Sequence, residues 1–588
     1  MDPTALKAKA EAWLAHDVDP NTRAEVAALL KANDLVELED RFGASLEFGT
    51  AGLRGILGGG PNRMNRAVVL RTTAGLARYL KAKVPDVVSR GVVVCRDGRK
   101  MSEEFTLDVA QVLAAEGIPA LVFPQVGPTP LCAFGLLNLK AAAAVMVTAS
   151  HNPPEYNGYK VYWENGAQIV PPHDVGIAAA IDAVEPADQV KVMPQAQARA
   201  KKLWRDIGPE VERSYLDAIL ALRPTKQTAD LRVVYTAMHG VGGALVRQSM
   251  AEAGFTHFFA VPEQFEPDGA FPTVRFPNPE EKGALDLATA LAEEKSADLV
   301  LANDPDADRL AAMARDANGK LRMLTGNELG VLLGHFLLTH RPVLSGVEGP
   351  GKNPVVITTI VSSAQLKSIA AAMGAHYEET LTGFKWIANR ALELLPQGKQ
   401  FLFGYEEALC YTVATVARDK DGVGTALVTA DMAAWCKARG TTLLGYLEEV
   451  QRAHGLFVAR QANFTFPGSS GVATIAQVMQ GFRANPPLAV DGLKVAAIND
   501  YQLQTRLAGG TSSPLALPKS NVLAYELEGG SRVTVRPSGT EPKIKFYFEL
   551  KQTLTGSEPM AAARTRATER LEAMEQDFLK LARNRGLP

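Results

Sequence analysis

The chain has 588 residues, of which 21% are charged and 47% hydrophobic, and its 62 Lys and Arg nearly balance its 64 Asp and Glu. These values are typical of a folded globular protein, and they exclude a disordered chain and the strongly basic footprint of a nucleic-acid-binding protein. Its four cysteines are too scattered for a disulfide framework, and no apolar run is long enough to span a bilayer. We therefore expect a large cytoplasmic enzyme with neither a nucleic-acid nor a membrane partner.

The first forty residues predict two short helices, the second of which begins after Asp19-Pro20, a pair suited to a helix start. From Phe42 onward, short β-branched runs alternate with amphipathic helices in three successive blocks, as a parallel sheet with helical crossovers requires. The last block, from about Phe464, has alternating strands followed by a long charged helix. The pattern predicts an N-terminal helical extension (1–40), three α/β domains with mixed, largely parallel sheets (41–222, 223–331 and 332–457) and a C-terminal α+β domain (458–588).

The first polar segment that could carry chemistry runs from Thr148 to Pro154, directly after an apolar strand. Sheets of α/β proteins place their ligands at such strand ends. Ser150 could be an acyl-transfer nucleophile, but a GxSxG context is absent and the adjacent His151 is poorly placed to be its base. Two alternatives stay open: a covalent phosphoryl carrier and an ordinary polar loop whose side chains cap a turn.

A second segment places Asp304, Asp306 and Asp308 at every second position after a predicted strand. Carboxylates this close repel one another unless a cation lies between them, and oxygen ligands favour a hard ion such as Mg²⁺. An EF-hand is excluded because Arg309 and Arg315 occupy its glycine and glutamate positions. The segment is therefore either a metal site, beside which Arg309 would suit an anion, or a solvated acidic turn.

A third segment, from Arg536 to Lys545, combines a guanidinium group, hydroxyls, a glycine and further cations. This mixture suits a phosphate dianion, although the Walker pattern is absent and an ordinary loop between strands stays open. The glycines of residues 240–245 do not form a dinucleotide-binding motif, because Leu245 stands where a third small residue is needed.

A fourth segment, residues 404–408, contains the carboxylate pair Glu406 and Glu407. Such a pair can accept hydrogen bonds from vicinal hydroxyls of a sugar, but it can equally begin a salt-bridged helix. Further polar and basic residues flank it at 382–385 and 418–422.

In this order, the four segments resemble the phosphoserine, metal, sugar-binding and distal phosphate loops of the α-D-phosphohexomutase superfamily. This superfamily comprises phosphoglucomutases, phosphomannomutases and their phosphopentomutase relatives. Residues 48–55 resemble its N-terminal motif, so that the resemblance spans roughly residues 40 to 550. It implies four domains in a heart shape around a central cleft, which agrees with the predicted blocks.

The resemblance also implies a mechanism. Phosphate on Ser150 would be bridged by Mg²⁺ to the three aspartates, and the distal loop would hold the second phosphate of the sugar. A bisphosphorylated sugar would form, turn around and return the other phosphate to the serine. We expect Lys160 to be the general base, which requires a lowered pKa. The implied residues are Ser150, His151, Lys160 and Arg54 for catalysis; Ser150, Asp304, Asp306 and Asp308 for the metal; and Arg309, Thr382, Gly383, Lys385, Glu406, Lys420, Arg536, Ser538, Gly539, Thr540 and Lys545 for the substrate.

One departure from the family pattern concerns the sugar. Many glucose and mannose mutases have a serine where this chain has Ala408, and the surrounding residues resemble a longer branch with phosphopentomutases and sugar-bisphosphate synthases. We expect a monomer or dimer that interconverts glucose 1-phosphate and glucose 6-phosphate, with pentose and mannose phosphates as alternatives. A metal-dependent sugar phosphatase and a non-catalytic sugar-phosphate-binding protein also stay open.

Overall fold

The computed structural model describes residues 2–50, 52–341, 353–466, 468–538 and 543–587. Its N-terminal part contains three helices instead of the two predicted: α1 Pro3–His16, α2 Pro20–Ala32 and α3 Leu35–Phe42. The second helix begins as expected, because the Asp19 carboxylate accepts a hydrogen bond from the Asn21 N–H. The third has only eight residues, which is too short for a clear helical period.

The first sheet has the strand order β1-β5-β4-β2-β3-β6. Strands β4, β2, β3 and β6 are parallel, whereas β5 is antiparallel to both of its neighbours, β1 and β4. All five residues of β4 are buried, as expected of a central parallel strand. The strands are β1 Leu53–Ile56, β2 Val92–Arg96, β3 Ala120–Val122, β4 Ala143–Val147, β5 Tyr156–Trp163 and β6 Trp204–Asp206. The helices are α4 Arg66–Lys83, α5 Val87–Arg90, α6 Ser102–Ala115, α7 Thr129–Asn138, α8 His173–Asp182, α9 Gln195–Ala200 and α10 Pro209–Ala221.

The second and third sheets are also mixed, with orders β11-β10-β9-β7-β8 and β13-β12-β14-β15. The second comprises β7 Arg232–Thr236, α11 Gly243–Glu252, β8 His257–Ala260, α12 Asp286–Glu294, β9 Leu299–Asn303, β10 Leu310–Arg315 and β11 Leu321–Met323. The third comprises α13 Gly326–Thr339, β12 Pro354–Thr359, α14 Gln365–Ala372, β13 His376–Thr380, α15 Phe384–Leu394, β14 Gln400–Glu406, β15 Cys410–Val413, α16 Gly422–Ala438 and α17 Leu443–His454.

The C-terminal domain is built on an antiparallel sheet that packs against its helices. It comprises β16 Leu456–Thr465, α18 Gly468–Ala484, β17 Ala489–Val490, β18 Leu493–Asp500, β19 Thr505–Ala508, β20 Thr511–Pro514, β21 Leu523–Leu527, β22 Arg532–Pro537, β23 Lys543–Gln552 and α19 Met560–Arg583.

The predicted class of three α/β domains followed by an α+β domain is confirmed. One hydrophobic cluster runs through the first three sheets, whereas the C-terminal domain has a core of its own. Among the described residues, none of the helices combines the length and the apolar character that crossing a bilayer requires. The domain boundaries at 40, 222, 331 and 457 stay predictions.

Candidate active site

Ser150 lies in the loop after β4, and its side chain is almost completely buried. Its backbone has a φ of 54°, a left-handed conformation that costs a non-glycine residue about 1 kcal/mol or more. Thr148 Oγ1 supports this conformation by accepting a hydrogen bond from the Ser150 N–H at 2.9 Å. The Ser150 hydroxyl donates to Asp304 Oδ2 at 3.0 Å and lies 3.2 Å from His151 Nδ1. The loop thus directs the serine oxygen at the acidic segment of the second sheet.

A fully buried arginine, Arg99, holds this loop in place. Asp97 lies 3.4 Å from its Nε and supplies the opposite charge, while the Phe271 ring lies 4.9 Å from the guanidinium carbon. The two terminal nitrogens of Arg99 donate to backbone carbonyl oxygens of the loop, those of Ser150, Asn152, Pro153 and Tyr156. One planar guanidinium group therefore fixes the path of the chain at the serine and over the residues that follow it.

The three aspartates after β9 lie together in the interior. Asp304, Asp306 and Asp308 are each fully buried, and one carboxylate oxygen of each lies within 4.8 Å of the others. The Lys160 ammonium donates to Asp306 Oδ2 at 2.7 Å and to Asp308 Oδ2 at 2.9 Å, and Lys420 Nζ lies 3.1 Å from Asp308 Oδ2. Asp306 Oδ1 and Asp308 Oδ1 are buried without a hydrogen-bond partner among the described residues.

This donor set fits a metal ion. Buried carboxylate oxygens without partners cost free energy, which a cation bound to them would recover. Burial and the charges of Asp306 and Asp308 raise the pKa of Asp304 well above its usual value. Burial also opposes ionisation of Asp308, but Lys160 and Lys420 outweigh it and lower that pKa. The acidic triad, as we call Asp304, Asp306 and Asp308, could therefore bind a metal ion.

Arg309 connects the acidic triad with the loop after β14. Its N–H donates to Asp304 Oδ1 at 2.9 Å, and its Nη1 donates to the Ala408 carbonyl at 3.2 Å. The turn between β7 and α11 packs tightly on the loop after β9 that carries the aspartates, because a Cβ on Gly240 would lie only 2.5 Å from Pro305. Gly240 is thus explained by close packing rather than by a dinucleotide.

The predicted residues of the third sheet gather at the ends of β13 and β14. Glu406 Oε1 accepts a hydrogen bond from the Gly383 N–H at 2.7 Å. Thr382 Oγ1 is buried without a hydrogen-bond partner in the part of the chain that the structure describes. The Lys385 ammonium donates to the Thr50 hydroxyl of the first domain, and burial lowers its pKa to about 8. The hydrogen bond between Lys385 and Thr50 therefore joins this group of residues to the first domain.

The distal cations lie in the C-terminal domain. Arg536 on β22 is paired in register with Lys545 on β23, and Ser538 follows β22 directly. Burial raises the pKa of Glu407, and the charges of Lys545 and Arg536 act against that rise. The two cations are thus close enough to the loop after β14 to act on its carboxylates. Two other predicted residues of this segment lie outside the described residues: Gly539 and Thr540.

The structure also brings the remaining predicted catalytic residues to the serine loop. Arg54 Nη1 donates to Asn152 Oδ1 at 3.0 Å. Burial lowers the pKa of His151 well below its usual value, and the charges of Arg309 and Arg54 lower it further. The His151 imidazole is therefore neutral at neutral pH.

The surroundings of Lys160 differ from those expected of a general base. Burial alone lowers its pKa, but Asp306 and Asp308 outweigh burial and the pKa is raised overall. A lysine base needs a lowered pKa, so the sign of the shift is opposite to the one required. In this structure Lys160 is a counter-ion of the acidic triad.

Two supporting residues were missed by sequence reasoning, Arg99 and Thr129. Arg99 follows β2, and Thr129, whose hydroxyl donates to Asp306 Oδ2 at 2.6 Å, follows β3. Both strands are parallel to β4 and end on the same side of the sheet. The rule that marked the Ser150 loop, namely ligands at the carboxyl ends of strands, would also have marked these two positions.

Comparison with known proteins gives a consistent result. Models of phosphoglucomutase/phosphomannomutase α/β/α domains I, II and III and of its C-terminal domain match residues 45–188, 213–319, 325–453 and 483–555. A phosphopentomutase of Homo sapiens is 36% identical over 97% of this chain and 95% of its own length. A probable phosphomannomutase of Haemophilus influenzae is 40% identical, covering 86% of this chain and 96% of its own.

The fold is shared with a phosphoglucomutase/phosphomannomutase family protein from Burkholderia thailandensis. Its crystal structure superposes on 91% of this chain and on 97% of its own length, with a TM-score of 0.62 and 20% sequence identity. With all four domains matched in order, the chain belongs to the phosphoglucomutase/phosphomannomutase family of the α-D-phosphohexomutase superfamily and is a mutase, an intramolecular phosphotransferase.

Proposed function

We propose that this mutase interconverts glucose 1-phosphate and glucose 6-phosphate through a phosphorylated Ser150 and a bisphosphorylated sugar. The observation that carries the proposal is the contact of Ser150 Oγ with Asp304 Oδ2, at 3.0 Å within the buried acidic triad. Fixed groups around a transferring phosphoryl group stabilise its charge in the transition state. Arg536 and Lys545 supply a second phosphate-binding site, which a mutase needs and a simple phosphatase does not.

The acidic triad would hold Mg²⁺ together with Ser150, because oxygen-only donors favour a hard cation. When bound, the ion would neutralise charge on the transferring phosphoryl group. Lys160 and Lys420 keep Asp308 ionised by lowering its pKa, Lys160 also donates a hydrogen bond to Asp306, and Arg309 orients Asp304 through its backbone N–H.

Two side chains near the site are wholly or partly uncharged at neutral pH and can therefore accept a proton. The sequence alone predicts that His151 is poorly placed as a base for Ser150, but its Nδ1 lies 3.2 Å from Ser150 Oγ. The neutral imidazole can therefore accept the serine proton and return it. Lys385, with its pKa lowered to about 8, is partly uncharged at neutral pH. We assign it the exchange of a proton with a substrate hydroxyl, in place of Lys160.

A pentose phosphate is the second candidate substrate, and two observations favour it. Ala408 offers no side-chain hydroxyl in the sugar-binding loop, and one lost hydrogen bond shifts preference by about 1–3 kcal/mol when a polar partner is left bare. The human relative at 36% identity is a phosphopentomutase. A mannose phosphate is the third candidate, after the relative from Haemophilus influenzae. We place the enzyme in the cytoplasm, which its buried free cysteines support.

Substrate binding should strengthen as the pH rises from about 6 to about 8. Burial and the charge of Glu407 raise the pKa of Glu406 to about 7, so that raising the pH ionises a carboxylate that would accept hydrogen bonds from sugar hydroxyls. We expect KM to fall by up to about tenfold, following the ionised fraction. The control is Glu406→Gln, because titration of the substrate phosphate changes KM in the same way in both proteins. If KM of Glu406→Gln falls with pH as steeply as KM of the wild type, Glu406 does not have this role.

The phosphoserine is tested by intact-mass measurement after incubation with glucose 1,6-bisphosphate. We expect one added PO₃ unit that maps to Ser150, and a phosphate on another residue would overturn the proposal.

Steady-state assays with glucose 1-phosphate, mannose 1-phosphate and ribose 1-phosphate then decide which sugar phosphate is preferred. Net phosphate release without isomerisation would indicate a phosphatase, and ligand-induced thermal stabilisation without turnover a non-catalytic binding protein.

A further inference from the structure

Thr129 makes a two-point contact with an aspartate of the acidic triad. It is the first residue of α7 in the first domain, and it is fully buried. Its hydroxyl donates to Asp306 Oδ2 at 2.6 Å, and its backbone N–H donates to the Asp306 carbonyl at 2.9 Å. The contact therefore constrains both the backbone and the side chain of Asp306.

The hydroxyl also decides which carboxylate oxygen is free. Asp306 Oδ2 accepts from Thr129 and from the Lys160 ammonium at 2.7 Å, which occupies the two lone pairs of an sp² oxygen. Asp306 Oδ1 is buried and has no hydrogen-bond partner among the described residues. Because an ionised carboxylate only accepts hydrogen bonds, the Thr129 hydroxyl must be the donor, and its proton points at Asp306 Oδ2. The side chain is thereby held with one oxygen saturated and the other available.

We infer that Thr129 is a positioning residue for metal binding, which acts by holding Asp306 so that Oδ1 faces the ion. This inference rests on the proposed function, in which the acidic triad binds a divalent cation. Partners that orient metal ligands typically change metal affinity by about 10–100-fold when they are replaced. Unlike Lys160, the hydroxyl adds no positive charge that would oppose the cation.

The test is a titration of the metal-free full-length protein with Mn²⁺, in which electron paramagnetic resonance measures the concentration of the free ion. Thr129→Val keeps the shape and removes the hydroxyl, and we expect the Kd for Mn²⁺ to rise about 10–100-fold. Thr129→Ser keeps the hydroxyl and should stay within about threefold of the wild type. The matched control is Thr106→Val, because Thr106 is also buried and its hydroxyl has no hydrogen-bond partner among the described residues.

The outcomes separate this inference from the proposed function. A Thr129→Val protein that binds Mn²⁺ as tightly as the wild type would refute the inference and leave the metal site intact. A wild type that binds no Mn²⁺ would overturn both. Melting curves of the metal-free variants identify a folding defect, and if Thr129→Val does not fold, Thr129→Ala, which places no methyl group against Asp306 Oδ2, gives the same comparison.

Discussion

Replacing Ser150 with alanine should abolish mutase turnover. The substitution removes the oxygen that would carry the phosphoryl group and leaves Asp304 Oδ2 without its hydroxyl donor. Loss of a covalent nucleophile costs about 10⁴-fold or more in kcat. The effect should appear in both directions of the reaction and with each sugar 1-phosphate. A coupled assay of glucose 6-phosphate formation measures the loss in the forward direction with glucose 1-phosphate.

The control for this substitution is Ser249→Ala. Ser249 is a fully buried serine whose hydroxyl donates to the Val246 carbonyl within α11. We expect this variant to keep most of its turnover, because its hydroxyl makes no contact with the acidic triad. Thermal stabilisation of Ser150→Ala by glucose 1,6-bisphosphate would show that the variant is folded and still binds ligand. Turnover of Ser150→Ala within about tenfold of the wild type would refute the carrier role.

Replacing Arg99 with lysine should lower both stability and turnover. An ammonium group cannot reproduce the contacts of a planar guanidinium with four carbonyl oxygens. Lysine keeps the positive charge beside Asp97 but leaves some of these carbonyl oxygens without a donor, and a buried polar group left unpaired costs about 1–3 kcal/mol. Displacement of the Ser150 loop by about 1 Å would cost a further 100-fold in kcat. Urea unfolding and steady-state kinetics measure the two effects separately.

The control variant is Arg223→Lys, which distinguishes a loss of kcat at the serine loop from a general loss of stability. Arg223 is likewise buried beside an aspartate, Asp431 at 3.3 Å, and lies over a phenylalanine ring, that of Phe255 at 5.1 Å. It donates to the carbonyls of Ala253 and Gln227, which belong to neither the serine loop nor the acidic triad. We expect Arg223→Lys to lose stability but not kcat in the folded protein. Equal kcat losses in the two variants would mean that Arg99 has no special role at the serine.

Most of the candidate site could be located from the sequence, because its polar residues are concentrated in short segments at strand ends. The run into Ser150 and the run into Asp304 are both completely buried strands, and each delivers polar residues to the loop that follows. Buried parallel strands have a clear apolar signature, and their carboxyl ends are the expected ligand positions. The fold class follows from the same alternation of strands and helices.

The residues that support the site leave no comparable pattern. Arg99 acts on backbone carbonyls, which every residue has, so its partners cannot be recognised from their types. Thr129 and Asp306 are 177 positions apart, and their contact depends on how two domains pack. The charge state of Lys160 depends on the same packing, because Asp306 and Asp308 reverse the effect of burial on its pKa. Such long-range electrostatic effects require the three-dimensional structure.

The two ammonium groups beside the acidic triad come from distant parts of the chain, which has a consequence for biosynthesis. Lys160 precedes Asp306 by 146 positions, whereas Lys420 follows it and comes from the loop after β15. A nascent chain that has left the ribosome only as far as the second sheet carries all three carboxylates but only one of these cations. Burying carboxylates without their full countercharge is costly. The candidate active site should therefore mature late, once translation has passed the third sheet.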